Sequence, residues 1–157
     1  MAQIRVAVVG AGAAGLAMSR YLVNEPHIDF ITYEKASEIG GVWRYTKDDG
    51  QAASEQNITA MYKNLRTNLP KEVMAYPDVP FPQDLPSFVT NADVKEYLET
   101  YAEHFNFRKC IKFNHEVLSI KPILRNKEPE MWDVVVKDLT SKKIQKNVFD
   151  AVVVCNG

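Results

Sequence analysis

The sequence predicts an α/β domain built on a parallel β-sheet with an antiparallel β-meander, and three observations predict it. The runs "IRVAVV" near the start and "AVVVC" at residues 151–155 are short, apolar and β-branched, as strands buried in a parallel sheet are. The first run leads through "GAGAAG" into a helical stretch and a second strand, "IDFITYE", within about thirty residues, the span of one βαβ unit. Further on, "IKFNHEVLSIKPI", "MWDVVVKDL" and "KNVFDAVVVC" alternate with polar, turn-like stretches, the pattern of a meander followed by a final strand.

The helix after the glycine turn is predicted from about Ala13 to Asn24, with Leu16, Tyr21 and Leu22 as its core face and Pro26 ending it. Residues 36–60 are polar and hold Gly40, Gly41 and Gly50, so a loop with one short helix is expected. Five prolines from Pro70 to Pro86, in "LPKEVMAYPDVPFPQDLP", are expected to exclude regular structure and leave a stiff, extended surface segment. The most regular helix is "NADVKEYLETYAEHF". Thr90 or Asn91 caps it, and Val94, Tyr97, Leu98, Tyr101, Ala102 and Phe105 recur at i, i+3, i+4, i+7, i+8 and i+11. The strand Ala151–Cys155 is expected to be fully buried, with neighbours on both faces.

A chain of 157 residues suffices for one domain with a core of its own. Its hydrophobic fraction of 46% and charged fraction of 25% are those of a globular protein. With a net charge of −1 and its Lys and Arg dispersed, the chain lacks the basic face of nucleic-acid binding. Cys110 and Cys155 form no CxxC pair and stand in apolar settings, so two reduced thiols are expected. His27, His104 and His115 are scattered, and no metal site is expected. The apolar start is too short for a secretory signal and no stretch spans a membrane, which leads to the expectation of an intracellular protein.

Gly10, Gly12 and Gly15 fit G-x-G-x-x-G directly after a strand and opening a helix, the context that gives this motif its meaning. Gly10 permits the tight turn, Gly12 lets a pyrophosphate approach the backbone, and Gly15 lets helix pack on strand. The free N–H groups and positive end of the helix then hold the phosphate charge. Glu34 ends the second strand, where an acidic residue bonds ribose hydroxyls and repels a 2′-phosphate, so FAD or NAD suits this site better than NADP. In "EKASEIGGVW", Gly40 and Gly41 allow a close backbone approach to a second part of a long dinucleotide such as FAD. Trp43 is either core or a wall near the flavin.

Five stretches together resemble the N-terminal part of the flavin-containing monooxygenases: "VVGAGAAGLA", "YEKASEIGGVW", "YKNLRTNLPKEVMAYPDVPFP", "WDVVV" and "FDAVVVCNG". They cover nearly the whole chain in order, and "TNLPKEVMAYPD" is the most specific of them. The resemblance implies a Rossmann-like FAD-binding domain in an NADPH- and O2-dependent monooxygenase, of the N,N-dimethylaniline monooxygenase type. Such enzymes oxygenate soft nitrogen or sulfur nucleophiles through a flavin hydroperoxide, with a small amine or sulfide as substrate. It carries the cofactor contacts onto Gly10, Ala11, Gly12, Ala13, Ala14, Gly15 and Glu34, onto Gly41, Val42 and Trp43, and onto Thr67, Asn68 and Leu69. Asn68 takes the catalytic place at the flavin and near the nicotinamide, where a neutral amide hydrogen-bonds without adding charge.

The chain has no second GxGxxG for NADPH and no FxGxxxH-type signature. The expectation is therefore that residues 1–157 are the N-terminal part of an FAD-binding domain, incomplete at the C-terminus and without the NADPH domain. Such a chain would not complete a turnover alone. A disulfide reductase relative is disfavoured because "GGVWRYTKDDG" holds no cysteine pair. The alternatives are a non-catalytic FAD-binding module and part of a Baeyer–Villiger or N-hydroxylating monooxygenase. The family also implies a cytoplasmic or endoplasmic-reticulum-associated location.

Overall fold

The computed structural model describes residues 3–45 and 61–156. The expected loop around Gly50, as far as residue 60, lies outside these residues. The described elements are β1 (Ile4–Val9), α1 (Ala13–Leu22), β2 (Ile28–Tyr33), α2 (Lys71–Met74), α3 (Asn91–His104), β3 (Ile111–Lys112), β4 (His115–Arg125), β5 (Glu128–Asp138), β6 (Ile144–Phe149) and β7 (Ala151–Val154). A 3-10 turn occupies Gly41–Trp43. One sheet runs β3-β2-β1-β7, all parallel, and the other is the antiparallel meander β4-β5-β6.

The apolar run at residues 6–9 within β1 follows from its place in the middle of the sheet. Side chains alternate across a strand. Val6 and Val8 point into a cluster with Leu16, Phe30, Val94, Leu98 and Phe107, whereas Ala7 points into one with Tyr33, Val134, Val136 and Phe149. Helices thus cover one face and the meander the other.

β7 departs from the expectation of full burial: its first three residues are half-buried and Val154 is exposed. Among the described strands only β1 pairs with it, so its other edge carries no neighbour. Both of its faces do have partners, since Ala151 and Val153 pack on the helix-side cluster and Val152 on the meander side.

The inner face of α1 is Gly15, Leu16, Ser19 and Leu22, a stripe at i, i+1, i+4 and i+7. Tyr21 lies off that stripe and is exposed, against the expectation that it joins the core. The buried Ser19 hydroxyl bonds the Gly15 carbonyl at 2.8 Å and the Thr32 hydroxyl at 2.9 Å, joining helix to β2. Thr90 caps α3: its hydroxyl accepts from the Asp93 amide while the Asp93 carboxylate accepts from the Thr90 amide, a capping box.

The proline-rich segment also departs from expectation, because it contains α2, one turn of helix. Pro70 stands at its N-cap, where a missing N–H costs nothing, and the next proline comes only at Pro77. Isolated bridges join Arg66 to Thr90 and Tyr76 to Val79. Cys110 and Cys155 are free thiols, and burial pushes both above the usual thiol pKa. No helix among the described residues is long and apolar enough to cross a membrane. No group of potential metal ligands comes together among them.

Candidate cofactor site

The site forms at the carboxyl end of the parallel sheet, where β1 and β2 give way to loops. Gly10 has φ 98°, a left-handed value that a side chain strains to reach, and a Cβ there would stand 2.9 Å from the Cys155 carbonyl oxygen. A Cβ on Gly15 would stand 1.9 Å from the Gly10 carbonyl oxygen, so only glycine permits this crossing of turn and helix.

Gly12 differs from both. It is the N-cap of α1 with ordinary extended angles, and a Cβ there would meet only the Gly41 backbone, at 3.5 Å for the Cα. The protein's own packing therefore does not demand glycine at this position, and the missing side chain leaves the backbone bare for a phosphate group to approach. The first turn of α1 holds no acidic side chain, and Ala13 and Ala14 are exposed. Its leading N–H groups have no intrahelical partner and face the end where the helix dipole favours an anion.

Glu34 is buried, with only 9% of its surface exposed. Its Oε2 accepts the Ala11 amide at 2.6 Å and its Oε1 accepts the Ala36 amide at 2.8 Å. The Ala11 carbonyl in turn accepts the Gly40 amide at 3.2 Å. Ala11 is fully buried with both backbone groups engaged, so it serves the site by holding Glu34 and Gly40 in place. Each carboxylate oxygen keeps accepting capacity for a ribose hydroxyl.

The Gly40–Gly41 pair first meets the protein itself. Gly41 has φ 54°, and a Cβ on it would stand 3.0 Å from the Gly12 Cα, so two glycine backbones face each other. Glu38 ties this loop to α3 through Lys95 at 2.6 Å and reaches Arg44 at 3.2 Å. Burial works to raise the Glu38 carboxyl pKa, but those two cations outweigh it and hold it below the usual range. Val42 is exposed and Trp43 is half-buried against the helix-side core, so Trp43 is at least in part a packing residue.

Thr67, Asn68 and Leu69 lie on a separate segment. The Thr67 amide donates to the Val89 carbonyl at 2.9 Å, and its hydroxyl donates to the Leu69 carbonyl at 2.8 Å, closing a small turn. Thr67 is buried, while Asn68 and Leu69 at the tip are exposed. The tie to the glycine turn is Tyr76, whose hydroxyl donates to the Ala13 carbonyl at 2.5 Å. Tyr76 also packs on Tyr97 and Tyr101, with ring centroids 5.8 and 4.2 Å away. Burial pushes the Tyr76 phenol well above its usual pKa. Sequence reasoning missed Tyr76, because nothing local to it signals a partner on α1.

A glycine turn after β1, an acidic residue after β2 and an open helix N-terminus at the end of a parallel sheet define a dinucleotide-binding domain of the Rossmann type. The Flavin-binding monooxygenase-like family matches residues 3–157, and the chain belongs to that family. It is 39% identical to flavin-containing monooxygenase 1 of Sus scrofa over 153 residues, covering 98% of this chain and 27% of that protein. It is equally 39% identical to dimethylaniline monooxygenase (N-oxide-forming) 4 of Homo sapiens, covering 98% and 26%. The solved S-allyl-L-cysteine S-oxygenase from Allium sativum matches with a TM-score of 0.83 at 34% identity, over 99% of this chain and 36% of that one. The chain spans little more than a quarter of the length of the curated relatives it matches.

Proposed function

We propose that the chain is the FAD-binding portion of an NADPH- and O2-dependent monooxygenase that oxygenates soft nitrogen or sulfur nucleophiles. One observation carries the cofactor assignment: the N-terminus of α1, capped by a glycine that puts no side chain over it and with no acidic residue in its first turn, stands beside a carboxylate buried at the end of β2. The substrate class is supported by relatives whose names specify an amine N-oxide and a cysteine S-oxygenation. In this reading, residues 1–157 are the N-terminal part of the FAD-binding domain, and the NADPH-binding residues belong to another part of the polypeptide. An intracellular location, cytoplasmic or at the endoplasmic reticulum, goes with the need for NADPH.

When bound, FAD supplies the redox chemistry that activates oxygen. The residues of this chain bind and orient it. The free N–H groups of the α1 N-terminus hold the pyrophosphate, and Glu34 accepts from the ribose hydroxyls. Val42, Trp43 and Leu69 offer apolar surface that keeps water from the reacting end. Asn68, exposed at the tip of its turn, is assigned the catalytic place, where its amide can donate and accept without introducing a charge.

The binding test is titration of the 157-residue chain with FAD, followed by flavin absorbance and fluorescence. An incomplete domain should hold FAD loosely, and an affinity left unchanged by Gly12→Val would remove the assignment. The same chain with FAD, NADPH and N,N-dimethylaniline should consume no NADPH in proportion to amine oxide. Matched consumption and product would instead make the 157 residues a complete enzyme.

For Asn68, the test uses a chimera in which this chain replaces the matching part of the Sus scrofa enzyme. Asn68→Asp is expected to keep FAD but lower amine oxide formed per NADPH consumed by about a hundredfold, the scale of one misplaced dipole where charge develops. The lost equivalents should emerge as hydrogen peroxide. Unchanged coupling would remove Asn68 from the site.

A further inference from the structure

Lysine is almost never buried without a partner, and Lys71 is buried, with 6% of its surface exposed. Its ammonium donates to three backbone carbonyls: Pro82 at 2.6 Å, Gln83 at 3.2 Å, and Leu85. An ammonium has three N–H donors, so these three bonds use all of them. The receiving loop is rich in residues that lack an amide, with Pro80, Pro82 and Pro86 around those carbonyls. Such a loop is poorly able to satisfy its own carbonyls, and each one left buried and unpaired would be costly.

The same lysine sits where two lengths of chain are laced together. The Lys71 amide donates to the Ser87 carbonyl at 2.6 Å, the Thr67 amide to Val89 at 2.9 Å, and the Asn91 amide to Leu65 at 3.3 Å. Residues 65–71 are thereby held along 87–91. Within that stretch the tip is Asn68–Leu69, followed by Pro70, which has no N–H to donate. The tip is anchored by Thr67 on one side and Lys71 on the other.

We propose that Lys71 is a positioning residue: by gathering the carbonyls of Pro82, Gln83 and Leu85 it fixes the Thr67–Leu69 turn and the direction in which Asn68 is presented to the flavin. The proposal rests on the reading of Asn68 as flavin-facing. Lys71 itself touches neither cofactor nor substrate in this scheme. Its positive charge is secondary, and the supply of three directed donors is the essential property.

The test combines amide exchange and flavin spectroscopy on the chimera in which this chain replaces the matching part of the Sus scrofa enzyme. In Lys71→Met, amide hydrogen exchange at positions 67 and 71 should be faster by about tenfold or more, while the Gly10 and Glu34 amides stay within about twofold of the parent. With FAD bound, Lys71→Met should shift the visible flavin band as Asn68→Ala does, and the double variant should shift it no further. FAD affinity of Lys71→Met should stay within about threefold of the parent, which a general loss of structure would not allow. If Lys71→Met does not fold, Lys71→Gln, which keeps two donors, is read by the same two measurements and should fall between. Unchanged exchange at positions 67 and 71, or additive shifts in the double variant, would overturn the proposal directly. An unchanged flavin band in Asn68→Ala would overturn it through its premise, and the exchange data would show which of the two had failed.

Discussion

Gly15→Ala is expected to destabilise the chain by about 3 kcal/mol, at the upper end of overpacking costs. Inside a helix this exchange ordinarily stabilises, by roughly 0.5–1 kcal/mol. Here the added Cβ would lie 1.9 Å from the Gly10 carbonyl oxygen, and that oxygen belongs to a backbone with φ 98° wedged against Cys155. Neither group is the free end of a flexible side chain, so the turn itself must move. A loss of that size is a large part of a total stability of roughly 5–15 kcal/mol. Urea denaturation followed by tryptophan fluorescence would measure it. Gly12→Ala is the informative partner, since its Cβ would make only ordinary contact, 3.5 Å from the Gly41 Cα. It should leave the urea midpoint nearly unchanged yet weaken FAD binding about tenfold or more, equivalent to at least ~1.4 kcal/mol. Equal midpoints for Gly15→Ala and parent would refute the tight crossing. Parent-like FAD affinity in Gly12→Ala would move the pyrophosphate elsewhere.

Glu34→Gln should lower both stability and FAD affinity, and the two losses separate its two roles. The parent carboxylate accepts from Ala11 with one oxygen and from Ala36 with the other, at 2.6 and 2.8 Å, in a buried position. Glutamine keeps the volume but has a single acceptor oxygen. One of the two backbone amides must then face an NH2 group, a buried donor left unpaired, at a cost of about 2 kcal/mol. A ribose hydroxyl that needs the same acceptor loses it too, so FAD affinity should fall about tenfold or more. Thermal denaturation without FAD and calorimetric titration with it measure the two effects. Lower stability with parent-like affinity would leave Glu34 as a pin between β2 and the glycine turn, with no ribose role. Lower affinity with unchanged stability would mean that the two backbone bonds contribute little.

Local patterns made a large share of this architecture legible. β1, the glycine turn, α1 and β2 follow from β-branched runs, a glycine spacing and a helical stretch, all within the first 34 residues. The start of α3 is written in Thr90 and Asp93, and its buried face in the spacing of Val94, Tyr97, Leu98, Tyr101 and Ala102. The single turn of α2 was hidden because prolines at 70 and 77 mark only where a helix cannot continue, and four residues between them suffice for one turn. Tyr21 was misassigned to the core because its hydrophobicity says nothing about which way the helix is rotated.

For the candidate site, the sequence by itself determined which residue types stand after each strand: glycines at 10, 12 and 15, the acid at 34, and the paired glycines at 40 and 41. These are properties of short stretches, set by what the backbone allows at each position. Only the tertiary structure decided how they share the work. Gly15 is required by the Gly10 carbonyl and Gly41 by the Gly12 Cα, while a Cβ on Gly12 would make only ordinary contact. Glu34 is neither solvated nor free but fastened to Ala11 and Ala36, and Lys71 is enclosed by carbonyls more than ten residues away along the chain. The physical reason is that close approach and the pairing of buried polar groups depend on which distant backbone atoms arrive at the same place.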